Sequence, residues 1–150
     1  MSGAAPKFEI KKANGKKKIA IISSSWHPEI CDKLIASAKR ACMEHGYAYD
    51  VIYVPGSFEI PFAARKALVK GMNGYVGAVA LGLVLRGQTA HFEYVCQGAT
   101  YGIMKTQLET YKPIGFGILM CDTLEQAHDR AGGKVEDKGY DAAIATLALL

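Results

Sequence analysis

The sequence predicts an α/β fold in three layers, with a four-stranded parallel sheet between two layers of helices. Three observations carry that prediction. Short apolar runs rich in β-branched residues recur four times, at positions 19–22, 51–54, 76–85 and 114–120. The stretches between them have helical period. The runs are also nearly continuous rather than alternating, the mark of parallel strands buried on both faces.

Taken in order, the first strand, 19–22, leads to a helix over about 29–45. There Leu34, Ile35, Ala38, Ala41, Cys42 and His45 share one face, and Gly46 closes the end. The second strand, 51–54, precedes a helix suggested by Phe58, Phe62, Ala63, Lys66, Ala67 and Leu68 and stopped near Gly71. The third strand, 76–85, is followed by a helix whose face carries Phe92, Val95, Ala99, Ile103, Met104 and Leu108. Pro113 closes it. After the fourth strand come a short helix over Leu124–Arg130, a break at Gly132-Gly133, and a last helix from about residue 137. The pattern is that of a flavodoxin-like sandwich. Residues 1–17 read as a basic N-terminal arm and 18–150 as a single α/β domain. Phe8-Glu9-Ile10 has the composition of a short extra strand, suited to pairing with a neighbouring subunit.

At 150 residues the chain is the size of one domain. A chain of this length buries roughly 68–70% of its unfolded surface and needs no staples. Half of the residues are hydrophobic and 21% are charged, which argues against disorder. The net charge of +4 is gathered in the arm, at Lys7, Lys11, Lys12, Lys16, Lys17 and Lys18. Nucleic-acid binding would need basic residues spread over a folded face, so a solvated arm is expected instead. Cys31, Cys42, Cys96 and Cys121 form no CxxC pair and sit in apolar segments, as reduced, buried thiols of a cytoplasmic protein would. No secretory h-region and no membrane-length apolar run is present.

In open α/β sheets ligands bind beyond the carboxyl ends of the strands. Four loops are therefore nominated: Ser23-Ser24-Ser25-Trp26-His27, Pro55-Gly56-Ser57-Phe58-Glu59, Arg86-Gly87-Gln88-Thr89-Ala90-His91 and Cys121-Asp122-Thr123. The third is the most informative. Gly87 permits close approach to the backbone, and Gln88, Thr89 and Ala90 offer amide N–H groups at a helix start, an arrangement that binds phosphate. The plainer reading of Thr89 is a helix N-cap. His91 is the candidate for proton transfer, since an imidazole gives and takes protons near neutrality; its plainer reading is a packing histidine. His27, His45 and His128 are weaker candidates. Trp26 could stack on a flat heterocycle or pack under its loop. Arg130 and Lys138 could supply fixed positive charge to a phosphate or simply decorate a helix end.

Other chemistries fail on particular residues. Gly82 to Thr89 resembles a P-loop, but Gln88 stands where the phosphate-binding lysine is required, and residues 83–85 read as strand. His27-Pro28-Glu29 and His91-Phe92-Glu93 match only half of a zinc-deaminase signature, with no PCxxC following. No GxSxG elbow occurs.

Four stretches together resemble the 6,7-dimethyl-8-ribityllumazine synthase family: VPGSFEIPFAARKA (54–67), LGLVLRGQTAHFEYV (81–95), PIGFGILMCDTLEQA (113–127) and RAGGKVEDKG (130–139). The resemblance implies condensation of 5-amino-6-(D-ribitylamino)uracil with 3,4-dihydroxy-2-butanone 4-phosphate, releasing phosphate and water, without metal or organic cofactor. Carried over by position, Trp26 would stack on the pyrimidine, while Ser57, Phe58 and Glu59 would hold the ring and ribityl chain. Leu83, Val84 and Leu85 would contact the ring mainly through backbone. Gly87, Gln88 and Thr89 would bind the phosphate, and His91 would be the acid/base. Phe116 and Arg130 would reach the site from an adjacent subunit, with Lys138 nearby. At the first loop, Ser25-Trp26-His27 keeps only the aromatic of the family's common Arg-Phe-Asn or Arg-Trp-Asn.

The resemblance further implies a homo-oligomer built from pentamers with active sites shared between adjacent subunits, and riboflavin synthase as a further partner. The compact AGGKVEDKG link is compatible with a hollow sixty-subunit shell. Two other functions compete. A related riboflavin synthase would have no use for a phosphate cradle. A non-catalytic flavin- or lumazine-binding or shell-forming homologue would have no use for His91.

Overall fold

The computed structural model describes residues 4–150 apart from position 71. Its elements are β1 (Lys18–Ser24), α1 (Pro28–Glu44), β2 (Ala48–Val54), a 3-10 turn (Ser57–Glu59), α2 (Ile60–Leu68), β3 (Tyr75–Leu85), α3 (His91–Thr110), β4 (Ile114–Cys121), α4 (Leu124–Arg130) and α5 (Lys138–Leu147). The four strands form one parallel sheet in the order β2-β1-β3-β4. The expected three-layer, flavodoxin-like architecture is the one found.

Side chains alternate across the sheet because the strand period is two. Ile19 and Ile21 of β1, with Val79, Leu81 and Leu83 of β3, enter the core under α1, α4 and α5. Ala20 and Ile22, with Ala78 and Ala80, enter the core under α2 and α3. Most of these residues are wholly buried, each large one contributing about 1.5–3 kcal/mol. Burial on both faces is why the runs look continuous in sequence.

Three helix readings change in detail. The second helix begins as a 3-10 turn, and its buried residues are Ile60, Ala64, Ala67 and Leu68 rather than Phe58 and Phe62, which are exposed. Its expected stop near Gly71 lies outside the described residues; α2 ends at Leu68. The face expected to bury α3 is largely open: only Ala99, Ile103 and Thr106 are buried, while Met104 and Leu108 are exposed. In the last helix the expected start holds, with Asp137 as N-cap accepting from the Tyr140 amide. Among the thiols, Cys96 is only half-buried, whereas Cys31, Cys42 and Cys121 are buried.

Residues 4–17 carry no helix or strand, so Phe8-Glu9-Ile10 makes no strand within its own chain. The segment is pinned instead by Ala13 N–H to His45 O (2.9 Å) and Gly15 N–H to Gly46 O (2.8 Å), with Ile10 and Ala13 against the core.

Asp137 also ties α5 to α1. Its Oδ2 accepts from Ser37 Oγ at 2.9 Å and from the Arg40 guanidinium at 3.0 Å. Asp137→Ala removes a cap and these two bonds together, and is expected to cost about 1–2 kcal/mol. The measurement is a lowered urea midpoint at unchanged slope; an unmoved midpoint would show that the bonds contribute nothing.

Candidate functional site

The strand order reverses direction beside β1, so the connections leaving β1 and β3 diverge and leave a crevice at their carboxyl ends. A cavity of about 650 Å³ occupies it, a volume suited to a small organic ligand. It is lined by Trp26 and His27 after β1, Gly56 to Glu59 after β2, Leu83 to Leu85 at the end of β3, and His91, Tyr94 and Val95 on the first turns of α3. Three crossovers thus deliver three walls.

The serine triplet sets the Trp26 wall. Ser25 donates its N–H (2.9 Å) and its hydroxyl (2.8 Å) to Val54 O, and Ser24 Oγ accepts from the Trp26 N–H at 3.2 Å. Cys31 donates from its thiol to Trp26 O at 3.2 Å. Burial pushes that thiol up to about 11, so it stays protonated, and a donor, at neutral pH. Held from below, the indole is 67% exposed at the cavity mouth, an unusual position for a large apolar ring and one suited to stacking.

Ser57 is the polar point of the second wall. It is 5% exposed, and its Oγ is the only buried side-chain polar atom without a hydrogen-bond partner among the described residues. Such an orphan costs about 1–3 kcal/mol unless something pairs with it. Gly82 makes room for it: a Cβ there would lie 2.5 Å from Ser57 Oγ.

The β3–α3 loop is braced by Arg86. Its N–H bonds Cys121 O at 2.9 Å, its Nε donates to Asp122 Oδ1 at 2.5 Å, and its guanidinium pairs with Glu93 and lies 4.2 Å over the Phe92 ring. Asp122, and then Glu93, raise the arginine's pKa, and Arg86 in turn lowers that of Glu93. The charge of Arg86 is thereby committed to the protein. The loop it holds presents Gly87, Gln88, Thr89 and Ala90, whose amide N–H groups donate to no backbone carbonyl among the described residues. Thr89 is not the N-cap, a position held by Ala90, although Thr89 Oγ1 stands 3.4 Å from the His91 N–H. Exposed donors at the start of a twenty-residue helix can receive an anion.

Of the residues nominated from sequence, Trp26, Ser57, Phe58, Glu59, Leu83, Val84, Leu85 and His91 line one cavity, and Gly87, Gln88 and Thr89 form the loop entering it. Phe116, Arg130 and Lys138 do not line it. Phe116 lies mid-strand on the edge strand β4, on the same face as Ile114 and Ile118, and is partly exposed. Arg130 donates to Gln126 O (3.0 Å) and lies 3.8 Å from Glu136, whose other oxygen is 3.1 Å from Lys138 Nζ.

The sequence reading missed Tyr94, Val95 and His27 as lining residues. Tyr94 and Val95 fall three and four positions after His91 and so share its helix face, a signal that was present. His27 gave none: its position follows from a left-handed backbone conformation, φ 52° and ψ 63°.

Among the described residues no group of three or more His, Cys, Asp or Glu side chains could hold a metal ion. No described helix is long and apolar enough to cross a membrane. The arrangement is that of a small-molecule site pairing an aromatic platform and an unsatisfied hydroxyl with an imidazole and an anion-receiving loop.

Comparison with known proteins narrows this class. The family model of 6,7-dimethyl-8-ribityllumazine synthase matches residues 16–150. A 6,7-dimethyl-8-ribityllumazine synthase of Streptomyces coelicolor is 47% identical, the alignment covering 99% of this chain and 92% of the relative. One from Streptomyces avermitilis is 45% identical with the same coverage, and one from Nitratiruptor sp. is 43% identical over 93% of this chain and 91% of the relative. The chain belongs to the 6,7-dimethyl-8-ribityllumazine synthase family.

Proposed function

We propose that the protein condenses 5-amino-6-(D-ribitylamino)uracil with 3,4-dihydroxy-2-butanone 4-phosphate to 6,7-dimethyl-8-ribityllumazine, releasing phosphate and water, in riboflavin biosynthesis. The observation that carries this reading is the family match over residues 16–150, on a chain whose cavity gathers eight nominated residues from separate crossovers. The pyrimidine lies on Trp26, with Ser57 Oγ given its missing partner by the ring or ribityl chain. Phe58 and Glu59, with the ends of Leu83, Val84 and Leu85, complete the walls. The phosphate sits on Gly87, Gln88 and Thr89.

The chemistry then asks little beyond positioning and proton transfer. The primary amine attacks the ketone carbonyl, and water leaves as the imine forms. Phosphate departs by elimination, and the second amine closes the ring with loss of water. Each step moves a proton, and His91, one turn from the phosphate loop, is the group that moves it. Anion-receiving amides stabilise the departing phosphate. No protein nucleophile is required, and the chain's residues act without metal or organic cofactor in this scheme.

Arg130, Phe116 and Lys138 belong in this reading to the site of an adjacent subunit within a pentamer-based homo-oligomer. The open face of α3, with Tyr94, Tyr101, Met104 and Leu108 exposed, supports burial against another copy. A sixty-subunit shell, association with riboflavin synthase, the 1–17 arm as a separate element from the 18–150 domain, and a cytoplasmic location complete the proposal.

The direct test is to mix the purified protein with both substrates and follow lumazine absorbance and phosphate release together. Equal accumulation of the two supports the reading, whereas lumazine or flavin binding without turnover would make the chain a carrier. Arg130→Ala is expected to raise KM for the phosphorylated substrate about 10–100-fold, the worth of a charge-assisted hydrogen bond. Unchanged KM would remove Arg130 from the phosphate site. If sites are shared, co-assembly of His91→Ala with Arg130→Ala subunits restores activity that neither has alone.

A further inference from the structure

His27 stands in the cavity wall beside Trp26 in a conformation that most side chains avoid. Positive φ is uncommon outside glycine, although histidine adopts it more readily than most residues. Here the conformation is held from both sides. The carbonyl of His27 accepts from the N–H groups of Ile30 and Cys31, both at 3.0 Å, and Pro28 follows directly. Pro28 disfavours the right-handed helical region for the residue before it. The result fixes where the imidazole goes: it lines the cavity, its ring centroid 6.4 Å from that of Trp26 and tilted by 43°. A ring so placed meets the edge, not the face, of a heterocycle lying on the indole.

The polarity of that ring is also set. Nδ1 is 3.5 Å from Glu29 Oε1, so the carboxylate favours hydrogen on Nδ1. Nε2 is then left as an acceptor, and it has no hydrogen-bond partner among the described residues. Strained backbone at a ligand-facing residue is a recognised sign of function.

We propose that His27 is a substrate-binding residue, its Nε2 accepting from the imide N–H of the pyrimidinedione ring that stacks on Trp26. The proposal deepens the lumazine-forming reading and rests on it for the identity of the ring. It assigns His27 to recognition of the pyrimidine, while His91 remains the acid/base.

The decisive variants are His27→Gly and His27→Asn. Glycine accepts the left-handed conformation freely and removes only the ring; asparagine tolerates that conformation and keeps an acceptor. His27→Gly should raise KM for the pyrimidine substrate about fivefold to tenfold, the worth of one hydrogen bond, leave KM for the phosphate ester in place, and lower kcat by a smaller factor. His27→Asn should recover most of the loss. The affinity for 6,7-dimethyl-8-ribityllumazine, read from quenching of Trp26 fluorescence, should fall by the same factor. Methylating the imide nitrogen of that probe should weaken its binding to wild type and not to His27→Gly. Affinity and KM equal to wild type in His27→Gly, or His27→Asn behaving like His27→Gly, would overturn the proposal. Because quenching needs no turnover, a wild-type protein that binds the probe but forms no product would sink the reaction and leave the His27 comparison intact.

Discussion

Replacing His91 by alanine should slow turnover about 10²–10⁴-fold, the range spanned by loss of a positioned acid/base group. The substrates should still bind. His91 lies on the exposed first turn of α3, its ring facing the cavity and its backbone N–H near Thr89 Oγ1. Nothing in the core rests on it, so the variant should melt where wild type does. Product binding, followed by Trp26 quenching, should change less than twofold while kcat collapses, since hydrogen-bond contact and proton transfer are separable at this position. Full activity in the variant would return His91 to the role of a helix-start packing residue and leave the proton transfers without a protein group. Loss of activity with loss of fold would be equally adverse, because it would make the residue structural.

Gly115→Ala should produce the largest effect on stability. Gly115 sits near the start of β4 where α5 crosses, and a Cβ there would lie 1.9 Å from Ala142 O and 2.6 Å from Thr146 Oγ1. The nearest obstacle is backbone, which cannot rotate away. Thr146 is itself buried and donates to Ala78 O at 2.9 Å, so α5 cannot lift without breaking a bond to β3. A cost of about 3 kcal/mol is expected, at the upper end for overpacking. For a domain of this size that corresponds to a fall in Tm of roughly 6–12 °C. The cavity lies at the opposite ends of the strands, so at low temperature the variant should retain the wild-type KM. A Tm within about 1 °C of wild type would mean that α5 is free to shift outward at this point.

The sheet was legible in the sequence because β1, β3 and β4 are buried on both faces and therefore read as unbroken apolar runs. The start of β2 was not: Ala48, Tyr49 and Asp50 form half-buried edge strand, where polar and aromatic side chains are tolerated. The burial of α1 followed its 3.6-residue period, since one face meets the sheet and α5. The burial of α3 did not, because its apolar residues are spread around the helix and Tyr101, Met104 and Leu108 face away from the chain's own core. A pattern of that kind marks an apolar surface without saying what covers it.

At the site, loops following strands could be nominated from topology alone, which is why Trp26, Ser57 and His91 were found together. His27 could not be found this way. Whether a side chain at a strand-to-helix turn points inward depends on one dihedral angle, and His27-Pro28 carries no local pattern that fixes its sign. Arg130 and Lys138 illustrate a different limit. Their sequence context is that of a charged helix end, and within one chain they pair with Glu136; only a neighbouring subunit would give them an anion to hold.

The measurement that bears most directly on the central claim is a crystal structure of the protein with 6,7-dimethyl-8-ribityllumazine and inorganic phosphate. The account predicts the bicyclic ring on Trp26 and against Leu83 to Leu85, with Ser57 Oγ hydrogen-bonded to the ligand. Phosphate should lie on the amides of Gly87 to Thr89, within reach of His91. A ring bound elsewhere, or phosphate seated away from that loop while the cavity stays empty, would contradict it.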